Sequence, residues 1–117
     1  MEKSKTHWLA DRTIEFITSQ SNPWHAFVDI VLPHLPCRPS APFSKMHASE
    51  DIPKWPGWDD EFINKPFAHA QQPWNWNLEA MQWPETAAQV ARYYGVVSQI
   101  DDAIGKSLRT WILKTPL

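Results

Sequence analysis

Ala26-Phe27-Val28-Asp29-Ile30-Val31-Leu32-Pro33-His34-Leu35-Pro36 is the stretch on which the reading of the fold turns. Phe27, Val28, Ile30 and Val31 favour a strand, and Pro33 ends it because proline has no N–H to give a ladder. The spacing predicts a strand over 26–32 that leads into a histidine held between two prolines. Open α/β sheets present their chemistry at the C-terminal ends of strands, so His34 is the first candidate for function. Apolar side chains on both faces suit the middle of a covered sheet. A lone strand leaves its N–H and C=O groups unpaired along both edges, so its neighbours are expected outside this chain. The chain then reads as a segment of a larger protein or as a subunit that borrows strands, with the segment the favoured reading.

Upstream, residues 6–20 carry a helical pattern. Leu9, Ala10, Thr13, Ile14, Phe16 and Ile17 share one face, while Asp11, Arg12 and Glu15 take the other. Thr6 is the expected N-cap, and Ser21-Asn22-Pro23 ends the element. Downstream, 33–84 shows no persuasive regular element and reads as a long irregular loop broken by prolines. A loop of that length is uncommon in a compact domain unless it has a function of its own. Trp55, Trp58, Phe62, Phe67, Trp74 and Trp76 argue against disorder, because disordered segments are poor in aromatic residues. The loop is therefore expected to pack against something.

The last element, over 85–114, has the clearest period. Pro84 suits a first helical turn and Glu85 lies near the positive end of the helix dipole. Val90, Tyr93, Tyr94, Val97, Ile100, Ile104, Leu108, Trp111 and Ile112 recur at three- and four-residue intervals, and Gln89, Arg92, Gln99, Asp102, Lys106 and Arg109 avoid that stripe. Gly95 and Gly105 weaken a helix by up to about 1 kcal/mol each, so close packing is the expected reason for both.

Composition excludes more than it assigns. With 117 residues the chain has the length of one small domain, and 11 basic against 13 acidic residues favour neither a nucleic-acid nor a membrane-surface partner. No apolar run approaches the roughly 20 residues that span a bilayer, and the N-terminus lacks the apolar stretch of a signal peptide. A single cysteine permits no intrachain disulfide, and the compartment stays unassigned. Three glycines in the whole chain argue against a phosphate-cradling loop.

Four stretches stand out in order: Trp8-Leu9-Ala10-Asp11-Arg12-Thr13-Ile14-Glu15-Phe16-Ile17, Phe27 to Pro36, Ala41-Pro42-Phe43-Ser44-Lys45-Met46 with Asp51-Ile52-Pro53 and Pro56-Gly57-Trp58-Asp59-Asp60-Glu61-Phe62, and Tyr93-Tyr94-Gly95 through Gly105. Together they resemble the middle of a sulfatase of the alkaline-phosphatase superfamily. The resemblance is to arylsulfatases and choline-sulfatase-like enzymes and covers nearly the whole chain. It implies an α/β fold class, with helix (6–20), strand (26–32), aromatic and proline-rich loop (33–84) and long helix (85–114) as one segment of a three-layer sandwich, incomplete alone. It implies sulfate-ester hydrolysis, in which a formylglycine hydrate attacks sulfur, calcium polarises the sulfate, and Lys and His bind oxygens or protonate the leaving group. His34 matches the family's His-x-Pro loop and is expected to contact the sulfate and ester oxygens.

The nucleophile and metal motifs of that family are absent, so no metal ligand is carried over and the isolated chain is expected to be inactive. Calcium and formylglycine are expected in a complete family member, with a sulfate ester as its small-molecule partner. The remainder of the domain, or an oligomer, would complete the sheet. A phosphonate or phosphate-ester hydrolase of the same superfamily is the alternative within chemistry. The alternative outside it is a small binding protein that uses the tryptophan-rich loop.

Other candidates weigh less. Cys37-Arg38-Pro39-Ser40-Ala41 has Cys-x-Pro-Ser, but Ala41 stands where the modification motif needs Arg, so Cys37 reads as an ordinary, partly buried thiol. His7, His25, His47 and His69 have no partner at ligand spacing, which argues against a metal site. His69, Trp74 and Trp76 are the remaining candidates for the substrate side of the loop, although tryptophans there read first as anchors. Asp101 reads as a structural hydrogen-bonding residue.

Overall fold

The computed structural model describes residues 4–75 and 80–114. It holds α1 (Lys5–Ser19), two 3₁₀ turns (Phe43–Lys45 and Ser49–Asp51), α2 (Phe67–Asn75) and α3 (Trp83–Lys114). No strand occurs among the described residues, which overturns the expected α/β class: they are helical throughout their regular structure. The physical reason lies in pairing. Val, Ile and Phe fit a pleated surface, but a strand exists only against a second backbone, and no other described stretch lies against 26–32 as one.

The chain divides into two compact units, one with the residues up to His47 and from Arg92 onward, the other spanning Ala48–Ala91. In the first, α1 starts one residue earlier than expected. Ser4, not Thr6, is the N-cap, its Oγ accepting the His7 backbone N–H at 3.2 Å. Thr6 is instead buried, along with Ala10 and Ile17 on the same face. At the other end, Lys114 Nζ donates to the carbonyls of Ile17 at 2.8 Å, Gln20 at 3.1 Å and Thr18. Those are orphan acceptors of a helix C-terminus, where a cation also suits the dipole.

The α3 face turned to this unit is marked by Gly95, Gln99 and Ala103, four residues apart, with Val96 beside them. A Cβ on Gly95 would lie 2.5 Å from the Phe43 carbonyl oxygen and 3.1 Å from Pro39 Cγ, so the loop crosses α3 where only glycine fits. Nothing lies within 4 Å of the equivalent point on Gly105, so close packing explains one helix glycine and not the other. Gln99, expected to face solvent, is 1 % exposed. Its Oε1 accepts from Ser40 N and Ser40 Oγ, both at 2.8 Å, and its Nε2 donates to Thr6 Oγ1 at 3.2 Å. One amide thus joins α1, the loop and α3, with its polar groups satisfied in a dry setting.

Residues 24–30 form an arm rather than a strand. Trp24, Ala26, Val28 and Ile30 line an apolar cleft of about 300 Å³ whose other walls are the Leu9, Ala10 and Ile17 face of α1 and Ala103, Leu108 and Trp111 of α3. Trp24 meets the Phe16 ring edge-on at 5.7 Å. The alternate residues turn outward, Phe27 being 88 % and Val31 77 % exposed. That two-residue period is the signature of an extended backbone. Residues 21–30 make no backbone hydrogen bond among the described residues.

In the second unit, residues 48–91, the loop packs in part: Trp55 and Trp58 do, whereas Phe67 and Trp74 are exposed. Ile52, Ala87, Val90 and Ala91 form its core, with Trp83 against them. Trp55 and Trp58 meet the Trp83 ring edge-on at 5.8 and 5.3 Å, geometry that aromatic pairs prefer. The loop is not irregular throughout, because α2 occupies Phe67–Asn75 with Pro73 inside it. Between these, Phe62 adopts φ 57°, a left-handed value uncommon for a bulky residue. Asp60 holds it there: its Oδ1 accepts the Phe62 N–H at 2.7 Å and its other oxygen takes Lys65. The Lys65 bond and then the Phe62 N–H hold the Asp60 carboxyl below its ordinary range.

Candidate functional site

The loop after the arm places His34 at an exposed tip. Its backbone N–H donates to Val31 O at 3.1 Å, which closes a tight turn, and the Leu32–Pro33 and Leu35–Pro36 bonds on either side are cis. Nδ1 lies 2.9 Å from the carbonyl oxygen of Leu35. A carbonyl only accepts, so Nδ1 carries a proton and Nε2 is the nitrogen left for other partners. Thus oriented, the ring offers a ligand one nitrogen, which accepts when neutral and donates when protonated.

Nothing described supports His34 as part of a larger constellation. The nearest sulfur, on Cys37, contacts Pro33 O at 3.6 Å and is partly buried. No cluster of three or more His, Cys, Asp or Glu able to hold a metal occurs among the described residues. Asp101, expected to bond structurally, is exposed and its side chain makes no hydrogen bond among the described residues, whereas the neighbouring Asp102 bonds His7.

The remaining predicted site residues lie in the second unit. His69 and Trp74 are both exposed on α2, with Trp74 at 67 %. Trp76 falls outside the described residues. Trp74 is thus not an anchor, whereas Trp55 and Trp58 are, through Trp83.

One constellation was not legible beforehand. Ser4 Oγ lies 2.7 Å from His7 Nδ1, and His7 Nε2 lies 2.9 Å from Asp102 Oδ2, the order nucleophile, base, acid. Its setting assigns another task. Ser4 Oγ already caps α1, His7 stacks on Phe43 at 5.7 Å, and neither Ser4 nor His7 lines the cleft of this unit. The three side chains fasten the start of α1 to α3. His47 makes a similar tie, with Nε2 3.0 Å from Ser98 Oγ and its ring edge-on to Tyr94. Compared with protein-family models, curated proteins and solved structures, the chain matches none.

Proposed function

We propose that this chain is the His34-bearing segment of a sulfatase-type hydrolase and does not turn over a sulfate ester by itself. The reading rests on the resemblance of Phe27–Pro36 to the family's His-x-Pro loop. The observation that carries it is the imidazole of His34, exposed, with Nδ1 tied to Leu35 O and Nε2 presented outward. A sulfate ester offers oxygens on sulfur and a leaving oxygen, and a protonated imidazole at a loop tip suits hydrogen bonding to either. Attack on sulfur needs a nucleophile and a counter-charge, and no described residue near His34 supplies them. Those parts, including the formylglycine and calcium of the family, belong in this reading to polypeptide outside the chain.

The binding-protein reading draws less support, because Trp55 and Trp58 of the loop are already engaged with Trp83.

An aryl sulfate assay tests the proposal in two forms. The purified chain is expected to show no turnover above the blank, and turnover that His34→Ala abolishes would sink the claim of inactivity. The coding sequence on either side is expected to encode Cys-x-Pro-Ser-Arg upstream. Expressed as that longer protein, His34→Ala should lower kcat by about 10²- to 10⁴-fold, as loss of a general acid does. An unchanged kcat removes His34 from the site.

A further inference from the structure

The arm at 24–30 pairs with no other backbone among the described residues. Trp24, Ala26, Val28 and Ile30 line the cleft, and the alternate residues His25, Phe27 and Asp29, continued by Val31, are exposed. Solvated helices need no partner for their backbones. An extended apolar segment is completed by another extended backbone, because only that geometry meets alternating N–H and C=O groups along an edge.

The sequence of the arm is complementary to itself. In an antiparallel pair, opposed residues share one face, so only registers in which inward residues meet inward residues keep Phe27 and its outward neighbours together. Centring the two-fold on Phe27 places Phe27 against Phe27, Trp24 against Ile30, and Ala26 against Val28. The same register sets His25 of each copy opposite Asp29 of the other, a donor against a carboxylate, twice. Centring on Asp29 instead would set two carboxylates face to face, which opposes pairing. A self-complementary patch of this kind is what a two-fold interface requires.

The geometry points to an interface in which the arm pairs antiparallel, about Phe27, with the arm of a second copy of this chain. It stands apart from the reading of His34, which concerns substrate contact. The paired surface is small, so the association is of the transient class, in the micromolar-to-millimolar range.

Sedimentation velocity of the whole chain at rising concentration tests it, with charge reversal as the control. The mass should double with concentration, and amide exchange over 24–30 should slow in step. His25→Asp and Asp29→Lys should each weaken association about tenfold, since cross-strand charge pairs contribute up to about 1 kcal/mol and the symmetry counts each twice. Both changes in one chain swap the pair and should restore the dimer. Both positions are exposed and lie outside the helices, so far-UV circular dichroism should stay unchanged. A chain that stays monomeric at all concentrations overturns the inference. So does a dimer indifferent to both reversals, or one that the double change fails to restore.

Discussion

The seam around Gln99 and the arm at 24–30 belong to one unit and use apolar residues in opposite ways. The seam buries small residues, Gly95, Val96 and Ala103, around one buried amide that makes three hydrogen bonds. The arm is richer in large apolar side chains, yet exposes Phe27 and Val31 almost completely. Side-chain hydrophobicity therefore did not decide what is buried. Backbone satisfaction did: α3 closes its own hydrogen bonds and can be buried by close approach, whereas the arm needs a partner backbone first.

That contrast is open to attack at both ends. The largest effect is expected from Gln99→Leu, which leaves the half-buried Ser40 N–H and hydroxyl and the buried Thr6 hydroxyl without this partner. It should cost about 3 kcal/mol by urea denaturation, and a loss below about 1 would mean that the amide is not the hub of the seam. Gly95→Ala should follow at about 2 kcal/mol, because backbone and not a flexible side-chain end stands 2.5 Å from the new carbon. Lys114→Met should cost about 1 kcal/mol, with amide exchange quickening in the last turn of α1.

On the arm, Phe27→Ser should stay within about 0.5 kcal/mol when measured at dilution. A loss rivalling that of Gly95→Ala would erase the distinction between the two regions. The smallest effect lies at Asp60. A carboxyl whose folded pKa is depressed adds stability above its unfolded value of about 3.9, and that stability fades as pH falls through the folded value. Asp60→Asn should remove this acid dependence from the Phe62 turn, read as exchange of the Phe62 amide between about pH 4 and 2.

What was legible in the sequence follows the range of each force. The bounds of α1 and α3 came within two residues because a 3.6-residue period is local. α2 was missed because Pro73, the seventh of its nine residues, lies beyond the first turn where proline is tolerated and so argues against a helix there. Gln99 was misread because polarity marks exposure only on average. Gly95 and Ala103, four residues to either side of it, were the available sign that a tightly packed face ran through that position. The strand expected over 26–32 does not form among the described residues, because propensity describes one backbone and a sheet requires two. For His34, the sequence showed the presentation and the prolines, while the absence of a nearby nucleophile or metal cluster needed coordinates.

Gly95 also acts as an index mark. Shifting α3 by one residue of register, about 1.5 Å along its axis with a turn of about 100°, would bring the Tyr94 or Val96 side chain against the Phe43 carbonyl, where not even one carbon fits. The helix can therefore engage the loop in a single setting, and the positions of Gln99, Asp102, Lys106 and Lys114 follow from it at a fixed rise of about 1.5 Å per residue. One missing side chain calibrates every contact farther along the rod.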